Sequence, residues 1–321
     1  MRAIEETIAY PPPHFRLGNG FGRGPGLGVF PGYSMSNECC DSPAWDSWYH
    51  RLRFALFVIF LVYYVFGMPL VFWWTRRKGA AASNKILNRY VYLTAVGFTA
   101  LYLLLATIAE GLSNCQKINP LRYVKIWVAA NTFRYLANLL ILYLIILPVS
   151  DRMMKHAAWN HHPLLGHWIL LALVAIFALI FVVMWNYNLI HSITGEKITD
   201  TEFGAQATFV TLYLVAALYA AGHLVAARFR SLRNKAGQKG LLPWCPMLAV
   251  GLVGYAFRDF SVIFAFYVVR RGYTTTASTV FVVLGLVFQA VVFLSLPFLA
   301  AAPALEEEPA ERLTKEQQEQ K

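Results

Sequence analysis

Charged residues are scarce in this chain, and their scarcity argues against an ordinary water-soluble domain. Aspartate, glutamate, lysine and arginine make up 14% of the 321 residues, whereas soluble domains carry about a quarter. The 28 basic residues outnumber the 17 acidic ones, for a net charge of +11. Because the basic residues crowd the ends of apolar runs, they predict orientation in a membrane and contact with anionic lipid rather than a nucleic-acid partner.

Cysteine is also rare, and its spacing is not that of a structural metal site. The four cysteines are Cys39, Cys40, Cys115 and Cys245, with no Cys-x-x-Cys pair and no matching Cys/His spacing. We therefore expect no metal and no cofactor. Cys115 and either Cys39 or Cys40 fall on the same predicted side of the membrane, so an oxidising lumen would allow a disulfide between them.

Long apolar runs are what the chain has in abundance. Each is about 20 residues long, the length of an α-helix that crosses a bilayer. The runs do not alternate as β-barrel strands do, and helices satisfy their own backbone hydrogen bonds in hydrocarbon. The predicted fold class is therefore all-α: a polytopic membrane protein with a bundle of seven transmembrane helices. The predicted spans are 54–74, 90–109, 126–149, 165–187, 206–227, 244–268 and 277–300.

Composition divides the chain into a bundle and two tails. Residues 1–50 are rich in proline and glycine and predict a disordered tail, residues 51–300 hold the bundle, and residues 301–321 form an acidic, polar tail. The first, third and fifth loops together carry 12 lysines and arginines, and the alternate loops carry 6. Because the richer side faces the cytoplasm, we expect the N-terminus outside and the C-terminus in the cytoplasm, in a plasma or internal membrane.

A few polar side chains lie inside the apolar runs, where an ionised group costs about 2.5–3.5 kcal/mol on insertion scales. In the third run, Asn131, Arg134 and Asn138 are three and four residues apart and share one helical face. Tyr255 and Asp259 share a face of the sixth run by the same rule. These groups are stable at this depth only if they face protein or water, so we predict a small polar interior between helices 2, 3 and 6.

Four charges are expected to form this interior, two positive and two negative. Asp259 is expected to meet Arg134 from the third helix. Arg258 leaves its helix about 100° away from Asp259, so we do not expect this adjacent pair to neutralise itself. Arg258 would instead reach Glu110, at the end of the second run, or open water. Arg134, Arg258 and Asp259 are expected near mid-depth, with Glu110 near the outer surface.

Five histidines form a second candidate cluster around the third loop. The stretch from His156 to His162 is similar to the histidine boxes of membrane di-iron hydroxylases and desaturases, but its spacing differs and only one box is present. Metal ligands must converge on one point, so we expect these side chains to contact lipid headgroups instead. They are His156, His161, His162, His167 and His223.

Several seven-helix families resemble parts of this layout. Asp151-Arg152-Met153 resembles the Asp-Arg-Tyr switch of rhodopsin-like receptors, but the seventh span has no Asn-Pro-x-x-Tyr and lacks the lysine that binds retinal in microbial retinal proteins. In helix count, chain length and polar tails, the chain resembles the uncharacterised seven-helix integral membrane proteins of filamentous fungi. The resemblance covers residues 51–300 and implies the same membrane architecture.

These features favour a protein that binds, senses or moves a small amphipathic or lipophilic molecule, with the lipid bilayer as its main partner. We assign no catalytic residue and predict no oligomeric state. The alternative is a membrane-embedded enzyme, because Glu110 and Asp259 resemble the intramembrane carboxylates with which fungal membrane terpene cyclases protonate an alkene. A purely structural membrane protein is the third hypothesis.

Overall fold

A computed structural model describes seven stretches of the chain, and each is helical almost throughout. No strand occurs within them. The described residues are 48–78, 87–114, 120–156, 164–193, 200–233, 244–267 and 275–301. The prediction of an all-α bundle with seven membrane-spanning helices is confirmed.

The helices α1 to α7, labelled in chain order, correspond to the seven predicted spans. Five are uninterrupted: α2 Arg89–Asn114, α4 Leu164–Ile193, α5 Asp200–Arg233, α6 Trp244–Tyr267 and α7 Thr275–Ala300. The continuous helix α1 comprises Trp48–Val62, Tyr63–Gly67 and Met68–Lys78, and α3 comprises Pro120–Leu144, Ile145–Val149 and Ser150–His156. Most helices extend past the apolar runs that predicted them, because helical backbone pairing continues into the polar ends of each segment.

All seven helices are long and apolar enough to cross a bilayer. Their most apolar stretches have mean hydropathies between 1.5 and 2.8. Large apolar side chains cover the outward surface, as on α4, where the exposed residues include Ile169, Leu173, Ile176, Leu179 and Val183. Such a surface is unfavourable in water, so the chain is a multi-pass membrane protein.

The two interrupted helices each contain a π-helical turn beside a proline. The turn Tyr63–Gly67 precedes Pro69, and the turn Ile145–Val149 contains Pro148. A proline ring clashes with the carbonyl four residues earlier and cannot donate a hydrogen bond, so the backbone widens locally. In α3 the Ser150 hydroxyl donates to the first carbonyl of the π turn at 2.8 Å, which secures the wide turn inside the bundle.

Helix α3 lies at the centre of the bundle. Of its most apolar stretch 61% is buried, against 17% for α1. Consecutive helices pack against one another, and α7 returns to contact α1. At the contact between α6 and α7, a Cβ on Gly254 would lie 2.8 Å from the Phe288 ring, so this close approach requires glycine. The central place of α3 puts its polar face inside protein.

Some predictions concern residues outside the described ranges. They include the tails at 1–47 and 302–321, together with Cys39, Cys40 and Cys115 of the proposed disulfide. The disulfide and the disorder of the tails therefore stay predictions. Cys245 is described: it is a free, buried thiol that donates to the Leu224 carbonyl of α5 at 3.4 Å.

Candidate functional site

The polar face of α3 is enclosed by other helices. Asn131, Arg134 and Asn138 are each 4% exposed, while Leu136 between them faces outward. Their spacing of three and four residues places the polar side chains on one side of the helix. A buried charge without a partner costs several kcal/mol, so the groups that α6 presents to this face decide whether it is stable.

Arg134 contacts two polar side chains of α6. Its Nη2 donates to Oδ2 of Asp259, and its Nε donates to the Tyr255 hydroxyl oxygen at 2.9 Å. Asn138 donates through Nδ2 to the same hydroxyl at 3.0 Å. Tyr255 and Asp259 are one helical turn apart, so a single turn of α6 engages the polar face of α3. The structure thus brings Arg134 and Asp259 together, as the sequence predicts.

Aromatic rings surround the Arg134 guanidinium. Its central carbon lies 6.0 Å from the ring centre of Tyr102 on α2, and 5.7 Å from those of Tyr135 and Tyr255. A ring face attracts a cation most strongly where water is excluded, so the three tyrosines offset part of the cost of burying this charge. Tyr102 is also the side chain through which α2 borders the site.

Arg258 bonds to its neighbour in the chain, which corrects the prediction for this residue. Its Nη1 donates to Oδ1 of Asp259, and its Nε donates to the Phe281 carbonyl of α7 at 2.8 Å. The two side chains leave α6 about 100° apart, but the long arginine side chain curls around the helix and reaches the carboxylate. Arg258 is 6% exposed, so it meets neither open water nor Glu110.

A glycine on α7 makes room for this second guanidinium. A Cβ on Gly285 would lie 3.1 Å from both Cζ and Nε of Arg258, which is closer than an ordinary van der Waals contact. The absence of a side chain on Gly285 lets the guanidinium lie against the backbone of α7. The site is therefore bordered by α2, α3, α6 and α7, whereas the sequence predicted only helices 2, 3 and 6.

Glu110 belongs to a separate ion pair, so its predicted place in the central group is wrong. Its carboxylate pairs with Arg53 of α1, and both side chains are buried. Helix α2 packs against both α1 and α3. It turns Glu110 toward α1, while Tyr102, eight residues earlier, faces Arg134 on α3.

The interior charges are divided into two groups. One is the Arg53–Glu110 pair of α1 and α2, and the other consists of Arg134, Arg258 and Asp259, which we call the Arg–Asp–Arg group. In the second group both guanidiniums contact the one carboxylate of Asp259. Because Glu110 belongs to the first group, the predicted set of four charges around one interior does not form.

The Arg–Asp–Arg group lies within the apolar part of both helices that form it. Arg134 is nine residues from Lys125, where the apolar span of α3 begins, or about 14 Å. On α6, apolar residues lie on both sides of Arg258 and Asp259. The position of the group at mid-depth stays a prediction.

Two buried amides beside this group have an atom without a hydrogen-bond partner among the described residues. Asn131, one turn before Arg134, donates through Nδ2 to the Trp127 carbonyl at 3.0 Å, but its Oδ1 receives no hydrogen bond. Gln289, one turn beyond Gly285 on the same face of α7, has no acceptor for its Nε2. Buried polar atoms are nearly always paired, so these two amide atoms are available to a water molecule or to a polar ligand group.

The histidine cluster is arranged differently from the prediction. His167 of α4 is 1% exposed and makes edge-to-face ring contacts with Tyr219 and His223 of α5, at centroid distances of 5.5 and 5.4 Å. It therefore packs between helices rather than against lipid headgroups. The other three histidine side chains lie outside the described residues. Within the described ranges, no three His, Cys, Asp or Glu side chains converge to hold a metal ion.

Three contributors to the site carry no distinguishing signal in the sequence: Tyr102, Gly285 and the Phe281 carbonyl. A tyrosine or a glycine inside an apolar helix is typical of ordinary packing, and a backbone carbonyl has no sequence signature. Arg53 does carry a signal, because it directly adjoins the first apolar run, where a charge needs a partner or the interface.

Comparison with known proteins identifies no relative: no protein-family model, no curated protein and no solved structure matches this chain. The resemblance to fungal seven-helix proteins is one of architecture, and architecture alone does not imply a function. The residues of the site are therefore what indicate a function.

Proposed function

We propose that the protein binds a small amphipathic molecule at the Arg–Asp–Arg group and senses or moves it. The observation that carries the proposal is the burial of three ionised side chains inside a membrane-spanning bundle, joined by Tyr255 and Asn138. Ionised residues at membrane depth are rare and mark ligand or ion pathways more often than they mark simple packing.

The helices around the group also support a role in sensing or transport. The site takes contacts from α2, α3, α6 and α7. A polar headgroup at the Arg–Asp–Arg group would therefore touch several helices at once, with apolar surface nearby for a tail. A ligand that favours one arrangement of these helices over another would shift the balance between them.

The alternative of a membrane-embedded acid catalyst receives less support from the geometry. Asp259 accepts hydrogen bonds from two guanidiniums, and Glu110 is paired with Arg53. Either carboxylate would have to break a buried ion pair before it could protonate a substrate. This arrangement favours binding over catalysis.

We propose in addition that the N-terminus lies outside and the C-terminus in the cytoplasm, as the loop charges predict. A protease site inserted in either tail tests this in sealed right-side-out vesicles. Cleavage of the N-terminal tail alone is expected, and cleavage of the C-terminal tail alone would reverse the orientation.

The binding proposal is tested on full-length protein purified in a mild neutral detergent, with bound small molecules extracted and identified by mass spectrometry. Wild-type protein is expected to retain an amphipathic compound. The variants Arg134→Gln and Asp259→Asn, singly and combined, are expected to lose it. The combined Arg53→Gln and Glu110→Gln substitutions are the matched control, because they neutralise another buried ion pair that spans two helices.

Retention of the compound in the control, with loss in the site variants, supports the proposal. If the site variants are inserted and folded and retain the same compound at the same occupancy as wild type, the proposed binding role is refuted. If the control loses the compound together with the site variants, the loss reflects general destabilisation, and the Arg–Asp–Arg group is not the site.

A further inference from the structure

The end of the bundle at which α1 ends and α2 begins carries three arginines. They are Arg76 and Arg77 in the last turn of α1 and Arg89 at the start of α2. We propose that these residues, which we call the arginine cluster, bind the headgroup of a membrane lipid that carries a phosphate monoester. Phosphatidic acid and the phosphatidylinositol phosphates belong to this class. The cluster is separate from the Arg–Asp–Arg group, because Arg89 precedes Tyr102, which borders that group, by 13 residues of α2, or about 20 Å.

The contact between α1 and α2 makes Arg76 and Arg89 neighbours. The Phe72 ring of α1 stacks on the Tyr92 ring of α2, with centroids 5.1 Å apart and an interplanar angle of 21°. Arg76 is one turn beyond Phe72, and Arg89 is one turn before Tyr92, so both extend the meeting faces toward the same end of the bundle. Axes of packed helices are about 8–10 Å apart, so two like charges lie side by side across this contact.

No carboxylate among the described residues pairs with the arginine cluster. Arg77 lies over the Trp73 ring, with its central carbon 3.7 Å from the ring centre. Arg89 lies against the Tyr90 ring at 4.5 Å and donates to its hydroxyl. A ring that holds a guanidinium by its face leaves most N–H donors at the edge of the plane for an anion. Residues 79–88, between α1 and α2, add one lysine and no acidic residue, so the local charge is strongly positive.

The cluster lies where lipid headgroups meet the protein. Arg77 is the last residue of the apolar span of α1, and Arg89 is the first residue of the apolar span of α2. Four exposed residues of α1, three or four positions apart, form one outward stripe that ends at the cluster: Phe66, Leu70, Trp73 and Arg77. Tryptophan favours the headgroup region. A lipid whose phosphate reaches the arginines can therefore lay an acyl chain along the apolar part of this stripe.

Charge and geometry together favour a phosphate monoester over the other lipid headgroups. A phosphate monoester carries about −1.5 to −2 charges at neutral pH and has three terminal oxygens, so it can accept from guanidiniums of both helices at once. The planar fork of arginine matches these oxygens in pairs, and the start of α2 adds the positive end of a helix dipole. Phosphatidylserine has a phosphate diester and one net negative charge, and phosphatidylcholine has none. The general contact with anionic lipid that the sequence predicts is thus narrowed to one place and one headgroup class.

The test measures lipid binding to wild-type, full-length protein purified in a neutral detergent. Native mass spectrometry resolves each bound lipid, and titration gives an apparent Kd for phosphatidic acid, a phosphatidylinositol phosphate, phosphatidylserine and phosphatidylcholine, all with dioleoyl chains. We expect both phosphate-monoester lipids to bind about 10- to 100-fold more tightly than phosphatidylserine, the range given by one additional hydrogen bond to a charged group. Equal binding of phosphatidylserine would overturn the choice of headgroup, and equal binding of phosphatidylcholine would overturn the site itself.

Variants locate the binding in the cluster. The combined Arg76→Gln and Arg89→Gln substitutions remove the two neighbouring guanidiniums and are expected to weaken phosphatidic acid binding to the level of phosphatidylserine. The matched control is Arg152→Gln, which removes an arginine of α3 at the same end of the bundle and should leave the apparent Kd unchanged within about twofold. Equal losses in the control and in the cluster variant would show that any positive charge at this end attracts the lipid, and the assignment to the cluster would be overturned.

The combined Arg76→Lys and Arg89→Lys substitutions test the planar forks. They keep both charges, so anionic lipids should still bind, but phosphatidic acid should lose most of its advantage over phosphatidylserine. A fully retained advantage would contradict the role of the forks in selecting the monoester.

Two further comparisons distinguish a lipid from other occupants. Glycerol phosphate, the same monoester without acyl chains, should not displace phosphatidic acid at equal concentration, and displacement would identify a soluble phosphate as the ligand instead. A full-length variant with Glu306, Glu307 and Glu308 replaced by glutamine should bind phosphatidic acid as wild type does. If this variant alone bound the lipid, the acidic tail would be the occupant of the cluster in the wild-type protein, and the proposal would be overturned.

Discussion

Replacing Asp259 by asparagine should destabilise the protein more than replacing either arginine that contacts it. Asp259 is the shared partner of two buried guanidiniums, so Asp259→Asn removes the counterion of both. After Arg134→Gln, by contrast, the carboxylate still pairs with Arg258. An isolated salt bridge would show no such asymmetry.

The magnitudes follow from these contacts. Breaking a buried ion pair from one side costs about 3–5 kcal/mol, and Asp259→Asn should reach the upper part of that range. Arg134→Gln loses hydrogen bonds to Asp259 and Tyr255 but leaves Asp259 paired with Arg258, so we expect about 1–3 kcal/mol. The expected difference between the two variants is about 2 kcal/mol.

The assay is equilibrium unfolding of the purified protein in mixed micelles with increasing dodecyl sulfate, followed by circular dichroism. Combining Arg134→Gln with Asp259→Asn should not restore stability, because Arg258 still loses its contact with the Asp259 carboxylate. At the Arg53–Glu110 pair, each single substitution should cost about 3–5 kcal/mol and the double should recover most of it, because nothing charged remains. This second pair is the internal control for the method.

One result would refute the reasoning. Suppose that Asp259→Asn and Arg134→Gln lower the free energy of unfolding equally, within about 0.5 kcal/mol. Suppose also that the combined variant recovers stability as fully as the combined Arg53 and Glu110 control. Arg258 would then not share the Asp259 carboxylate.

Three further substitutions test neighbouring contacts in the same unfolding assay. Gly285→Ala places a methyl group 3.1 Å from Arg258 and should lower the free energy of unfolding by about 1–3 kcal/mol. The control, Gly97→Ala, has open space around it and should be neutral or stabilising. Equal effects of the two substitutions would show that the guanidinium does not need the glycine. Tyr255→Phe leaves two buried donors without their hydroxyl acceptor and should cost about 1–3 kcal/mol, so a neutral result would contradict the observed contacts. Tyr92→Phe removes a 3.0 Å hydrogen bond to a carbonyl of α7 and should cost about 0.5–1.5 kcal/mol; an unchanged midpoint would show that this bond contributes nothing.

The architecture was predictable because it depends on local properties of the chain. A run of about 20 apolar residues forms a spanning helix whatever its neighbours are, and all seven helices occur where such runs predicted them. Local departures from the regular α-helix could not be predicted from the sequence. The π turn around Pro148, for example, requires a local widening of α3 and a hydroxyl placed to secure it.

The amino-acid sequence by itself determined that Arg134 and Asp259 lie inside the protein, because the free energy of exposing an ionised group to hydrocarbon is strongly unfavourable. Only the tertiary structure decided which charges meet. Glu110 pairs with Arg53 and not with Arg258, and Arg134 and Arg258 both contact Asp259. Partner choice depends on the rotation of each helix about its axis and on the reach of long arginine side chains. Since each residue turns a helix by about 100°, a small rotation exchanges one neighbour for another, and no residue spacing along a single helix records that rotation.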